Sequence, residues 1–245
     1  MAGHGLLARR PEALTRRPFD SGLLATEVSP VAGVDLDQAG DLLLSQLKRL
    51  GGGRPVVVVA HSLGGAVLSR AAQLAPELVA HAVYVTAAMT ASGVSPVAYM
   101  QLPENEGGLL DQSIVADPAV VGAMRIDVGS ADPGRRQLLR ETFYGDVDPL
   151  TADAAIALLT PDAPVGIALG ATTLTPDGWG SVPRTYVRCA RDFAIRPALQ
   201  QKFIADADAA FPANPTLVHT LDSSHSPFLS MPGQLAEIVL KAHAS

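Results

Sequence analysis

Val56-Val57-Val58-Val59-Ala60-His61-Ser62-Leu63-Gly64-Gly65 is an apolar β-branched run that stops at a serine followed by two glycines. Four consecutive valines fit a strand buried on both faces, and Gly64 to Leu74, Gly-Gly-Ala-Val-Leu-Ser-Arg-Ala-Ala-Gln-Leu, suits a helix. The chain must therefore turn sharply at Ser62. A serine at the mouth of a parallel sheet and the start of a helix exposes its hydroxyl beside free helix N–H groups, which suits the formation of an oxyanion. This is the pattern of a nucleophile elbow, in which small residues two before and two after the serine let the backbones approach. Ala60 and Gly64 fill those places, with alanine where glycine is commoner. The plainer reading is a serine in an ordinary strand-to-helix turn; the valine run and the Ala-rich helix favour the elbow.

A nucleophilic serine needs a base and a group that orients the base, and on a sheet of this kind they follow in the order Ser, Asp or Glu, His. Thr216 to Leu221 reads as a strand, Asp222-Ser223-Ser224-His225-Ser226-Pro227-Phe228 as a loop, and Gly233 to Ala244 as a closing amphipathic helix. His225 thus sits just past a strand end. Among the other histidines, His4 is near the terminus, His81 and His219 lie at or in strands, His243 is in the last helix, and His61 adjoins the serine with its ring directed away. The acid follows by exclusion. Ala82 to Thr86 is the next strand after the elbow helix, but Ala87, Ala88 and Met89 follow it and offer no carboxylate. The strand Thr185 to Ala190 runs straight into Arg191-Asp192, so Asp192 is the expected orienter of His225. Asp222 is the rival, although three residues before the histidine it is better placed to shape the loop.

With these residues in place, the chain resembles the α/β-hydrolases, and within them is similar to the plant methylesterase and hydroxynitrile lyase group and its bacterial esterase relatives. The resemblance rests on Ala60 to Gly65, Gly180-Ser181-Val182-Pro183-Arg184 leading into the strand to Cys189, Arg191-Asp192-Phe193-Ala194-Ile195, and Ser224-His225-Ser226-Pro227-Phe228-Leu229-Ser230. It implies a mostly parallel sheet with flanking helices and an inserted helical cap. It also implies a serine esterase acting on small carboxylic esters with neither metal nor organic cofactor. Asp192 falls at the family's acid position and His225 at its histidine. The lyase branch carries a lysine after that histidine; Ser226 stands here, which argues for hydrolysis. The Leu63 N–H is the first oxyanion donor, and His61 and Trp179 are the expected substrate contacts.

Composition agrees with a globular enzyme: 245 residues, 48% hydrophobic and 17% charged. A net charge of −6 without a long Lys/Arg run disfavours nucleic acid or an anionic membrane as partner. The single Cys189 excludes an internal disulfide and a cysteine-based metal site. No apolar run has signal-peptide or membrane-spanning length, so the cytoplasm is expected. The only lysines are Lys48, Lys202 and Lys241, and with abundant Ala, Gly and Pro this points to a GC-rich bacterial genome.

From Thr90 to Gly180 the pattern breaks into short helical pieces, with candidates at Asp111–Val121, Pro133–Phe143 and Asp148–Leu159. Residues 90–180 are therefore expected to form the cap, and 1–89 with 181–245 the core. Met100, Leu109, Leu110, Phe143, Tyr144 and Trp179 are the apolar residues available to wall a pocket over Ser62. Such a compact cap, poor in aromatics, favours short acyl chains. Before Ser62 only a helix from Leu36 to Leu50 and a weak strand around Leu23 to Val28 are visible, and the His-Gly of Met1-Ala2-Gly3-His4-Gly5 follows no strand. The first strands and the loop bearing the second oxyanion donor are thus expected to be missing, leaving Val56 to Val59 as an edge open to homo-oligomer pairing. The alternatives to an esterase are a lactone, thioester or carbon–carbon bond hydrolase, or an impaired scaffold that binds a small apolar ligand.

Overall fold

The valine run forms β1 (Val56–His61), and the structure, a computed structural model, describes it within residues 17–244. The Gly3-His4-Gly5 stretch lies outside the described residues. Ahead of β1 stand a short helix α1 (Ser21–Thr26) and the longer α2 (Leu36–Gly51). The weak strand read at 23–28 is instead α1, because Asp20 caps the Leu23 N–H and the Thr26 hydroxyl bonds back to the Gly22 carbonyl. In α2 the Asp35 side chain and Gln38 form a reciprocal capping box, and Gly52 ends the helix in the left-handed region.

From β1 the chain turns into α3 (Gly64–Leu74) and returns as β2 (Val79–Val85), parallel to β1. Much later β5 (Arg184–Cys189), α10 (Pro197–Ala210), β6 (Leu217–Leu221) and the final helices α11 (Pro227–Ser230) and α12 (Pro232–Ala244) complete the layer. The sheet order is β1-β2-β5-β6, all parallel. Alternation in β2 divides the core: Ala82 and Tyr84 face the cluster built with α2, α3 and α10, while Val83 and Val85 face Ile238 and Ala242 of α12. All these strands point their C-terminal ends the same way, so Ser62, Thr86, Asp192 and His225 arise from one edge of one sheet. One expectation fails. Val59 is 47% exposed, since among the described residues β1 pairs only with β2 and is an edge strand, not one buried on both faces.

Between β2 and β5 lie α4 (Pro96–Met100), α5 (Leu110–Ser113), α6 (Pro118–Val121), β3 (Ala123–Arg125), α7 (Pro133–Tyr144), α8 (Pro149–Leu158), β4 (Asp162–Pro164) and α9 (Val165–Leu169). The single helix expected at 111–121 is two short ones, because Ile114 bridges to Ile126 and the Val115 N–H donates to the Arg125 carbonyl between them. α7 and α8 pack on each other through Leu139, Tyr144, Ala152 and Ile156, joined by Phe19. Arg125 is fully buried in the β3–β4 ribbon, paired with both oxygens of Asp162 and donating to the carbonyls of Leu24 and Glu27. Ile167, Leu174 and Trp179, by contrast, belong to the main core.

Candidate active site

Ser62 carries φ of +54°, a strained value for a side chain with a Cβ, and the surrounding backbone holds it there. Its carbonyl accepts from the N–H groups of Gly65 and Ala88, and its own N–H reaches the Val85 carbonyl. Gly65 is what allows this closeness: a Cβ there would collide with the Ala88 carbonyl oxygen and lie 2.9 Å from Ala88 N and Ala87 Cβ. At Gly64 a Cβ would meet nothing within 4 Å. The close approach expected at Gly64 is therefore made by the next residue. The Leu63 N–H, at the start of α3, has no hydrogen-bond acceptor among the described residues, so it is free to hold an anion at the mouth of the elbow.

Asp192 is fully buried just past β5, and its two oxygens are held separately. Oδ1 accepts from the backbone N–H groups of Ala194 (2.7 Å) and Ile195 (2.9 Å). Oδ2 accepts from the Thr86 hydroxyl, from Gln200 Nε2 at 3.4 Å, and lies 2.8 Å from His225 Nδ1. A carboxylate fixed in this way keeps the proton of His225 on Nδ1 and leaves Nε2 free to accept another. Ser62 Oγ makes no hydrogen bond to His225 among the described residues; such contacts are often long without substrate and tighten in the complex. Asp222, the rival acid, is turned outward with its side chain 76% exposed and pairs with Arg191 at 3.0 Å.

Thr86 and Gln200 are site residues that sequence reasoning missed. Thr86 has φ of +36° directly after β2, and Gln200 on α10 ties together Cys189, Asp192 and the Ile195 carbonyl. Neither belongs to a chemically reactive type. The available signal was position: each stands one turn or one strand end from the candidate acid.

His61 is half-buried, and its Nε2 lies 2.8 Å from the His225 carbonyl oxygen, to which it donates. Its ring packs 4.5 Å from the His225 ring and edge-on to Phe228. Burial first, and then the neighbouring His225 imidazole, push its pKa down to about 3, so it is neutral through the physiological range. It also lines, with Ser62, Leu63, Val58, Val59 and Leu43, a groove of about 530 Å³ beside the β1 edge. Trp179 does not line that groove. It precedes β5 at the opposite end of the strands, is 1% exposed, donates to the Tyr84 hydroxyl at 2.7 Å and stacks under the Arg184 guanidinium. Its place as a substrate contact is corrected to a core residue, since the indole needed a buried polar partner and found one in Tyr84. Phe143 of α7 does approach the site, 5.9 Å from the His225 ring. No group of three or more His, Cys, Asp or Glu able to hold a metal ion, and no helix long and apolar enough to cross a membrane, occurs among the described residues.

Known proteins resemble the chain in sequence and in fold. The sequence pattern of the alpha/beta hydrolase family matches residues 1–238. The pyrethroid hydrolase of Sphingobium wenxiniae is 28% identical over 98% of this chain and 78% of its own length, and methylesterase 18 of Arabidopsis thaliana is 28% identical over 92% and 84%. Among solved structures, a pyrethroid hydrolase from Sphingobium faniae superposes with a TM-score of 0.62 at 29% identity, covering 86% of this chain and 79% of that one.

Proposed function

Because the chain belongs to the alpha/beta hydrolase family, we propose that it is a carboxylic ester hydrolase that cleaves a small ester through Ser62, His225 and Asp192. Ser62 Oγ attacks the ester carbonyl while its proton passes to His225 Nε2. The resulting oxyanion takes a hydrogen bond from the Leu63 N–H. His225 then protonates the leaving alcohol, and water, deprotonated by the same nitrogen, hydrolyses the acyl-enzyme. Asp192 holds the imidazole's orientation and stabilises its protonated form. The observation that carries this reading is the 2.8 Å contact of His225 Nδ1 with a buried, fully bonded Asp192, at the sheet edge that bears the strained Ser62. The relatives' names, pyrethroid hydrolase and methylesterase, support ester cleavage.

Residues 90–180 are read as the cap, with Phe143 over the imidazole and His61 in the wall beside Ser62. A fluorophosphonate probe tests the nucleophile. Mass addition at Ser62, lost in Ser62→Ala, supports the enzyme. A second reading is a scaffold binding a small apolar ligand in the groove of about 530 Å³ beside Ser62. A folded, unlabelled protein favours that reading. Within the enzymatic one, a panel of p-nitrophenyl esters, lactones and thioesters sorts the substrate class; faster turnover of long acyl chains than of acetyl or butyryl removes the short-chain preference and leaves the triad standing.

A further inference from the structure

The loop that carries His225 has no regular structure, yet Ser223, Ser224, His225 and Ser226 are all 2% exposed or less. Three buried hydroxyls within four residues require partners, since an unbonded buried polar group is costly. Ser223 finds its own at Ser230 Oγ, the end of α11, and at the Ser224 carbonyl, both 3.0 Å away. Ser224 is held from outside, by the segment between β2 and β5. The Ser224 hydroxyl donates to Asp146 Oδ1 and lies 3.4 Å from the Phe143 carbonyl.

Asp146 is the centre of this contact. Its side chain is only 3% exposed, and burial alone would raise its pKa. The hydroxyls of Ser224, Ser230 and Ser223 and the Ser224 N–H outweigh that, and the carboxyl titrates below its ordinary value. An ionised carboxylate is the strongest acceptor a serine hydroxyl can meet. It stands directly beside the residue that precedes His225, while the His61 ring holds the His225 carbonyl from the sheet side. The histidine is thus gripped on both flanks of its backbone, and only then by Asp192 through its ring.

We propose that Asp146 is a positioning residue for His225: through Ser224 it holds the imidazole at the distance from Ser62 at which proton transfer proceeds. The proposal rests on the reading of His225 as the base. Asp146 touches no reacting atom, and its effect is geometric, the kind in which a displacement near 1 Å costs about 10²-fold.

The test compares Asp146→Ala, Asp146→Asn and Ser224→Ala with Asp153→Asn, which loosens the Arg140–Asp153 pair between α7 and α8 without touching the histidine loop. With p-nitrophenyl acetate, Asp146→Ala should lose about tenfold or more in kcat with KM changed by about twofold at most. Asp146→Asn keeps an acceptor oxygen for the Ser224 hydroxyl and should recover to within about threefold of the wild type. Ser224→Ala should reproduce the loss, and adding it to Asp146→Ala should cost nothing further. The rate at which diethyl pyrocarbonate modifies His225, read by peptide mass, should rise in Asp146→Ala. It needs no activity. Unchanged kcat and unchanged His225 modification in Asp146→Ala overturn the proposal, as does an equal loss in Asp153→Asn, which would make the effect a general loosening of α7 and α8. A wild-type protein that Ser62-directed probes leave unlabelled would instead sink the esterase reading, while the modification rate still decides the role of Asp146.

Discussion

Asp192 has one oxygen to spare for its histidine, and that makes its conservative variant informative. Oδ1 is already taken by two backbone N–H groups, so the amide of Asp192→Asn must place its NH₂ on the other side, against His225 Nδ1. The imidazole then moves its proton to Nε2 and loses the lone pair a base needs. Asp192→Asn should fold, melt near the wild type and lose about 10⁴ in turnover, the size seen for the same change in a serine protease. Asp222→Asn, at an exposed side chain paired with Arg191, should change little. Equal small losses from both, in proteins with normal melting curves, would mean that the acid is elsewhere. His61 makes a second prediction at this scale. Its folded pKa near 3 lies below the ordinary 6.5, so between those values the unfolded chain binds a proton that the folded one refuses. Stability from this group is complete above pH 6.5 and falls as the pH drops toward 3. Melting temperatures measured across that window should slope less steeply in His61→Gln than in the wild type; identical slopes would show that another group carries the acid sensitivity. That Ser62, Asp192 and His225 each stand just past a strand of one sheet, with His225 against Asp192, was legible in the sequence because each follows a recognisable strand and the chain order limits the choice. Thr86 and Asp146 were not, because they act from 106 and 78 residues away in sequence through hydroxyl and carboxylate contacts that only the folded chain creates. Trp179 was misjudged for the complementary reason: an aromatic in a turn-rich segment looks available until its N–H is seen bonded inside the core.

At the scale of elements, punctuation decided what could be read. The helices α7 and α8 begin at Asp-Pro pairs, Asp132-Pro133 and Asp148-Pro149, whose carboxylates bond the first free N–H groups, and both were legible to within about two residues. The weak strand expected around Leu23 to Val28 is the helix α1, because Asp20 caps the Leu23 N–H three residues on. The elbow shows how packing refines a motif. Motif logic places the small residue at Gly64, whereas the crowding is at Gly65, where the start of α3 presses on Ala87 and Ala88 behind β2. Gly64→Ala should therefore retain most of the wild-type stability and esterase rate. Gly65→Ala must push backbone against backbone, and should lose about 1–3 kcal/mol of stability together with most of the activity. Chemical denaturation and ester turnover on the two variants check this. A Gly65→Ala protein as stable and active as the wild type would show that the elbow relaxes more easily than its contacts suggest.

For the whole molecule the decisive feature is the flank of β1. Parallel sheets are normally covered on all sides, and among the described residues the edge of β1 instead borders a groove of about 530 Å³ that exposes Val59 and ends at Ser62 and Leu63. Backbone N–H and C=O groups on such an edge are a template for another strand, and valines with no charge among them do nothing to discourage pairing. The homo-oligomer expected from the sequence is accordingly proposed to form here, a second copy adding a strand to β1 and covering the groove. Because the same edge leads to the elbow, such pairing would reach catalysis: a strand laid along β1 would also decide what surrounds the Leu63 N–H. Sedimentation at increasing concentration should show self-association, and Val59→Lys, which places a charge on the edge, should shift the protein toward monomer. The ester rate per chain should change in the same concentration range for the wild type and stay flat for Val59→Lys. A wild-type chain that remains monomeric at every concentration, with a rate that does not vary, would mean that the β1 edge is not a pairing surface.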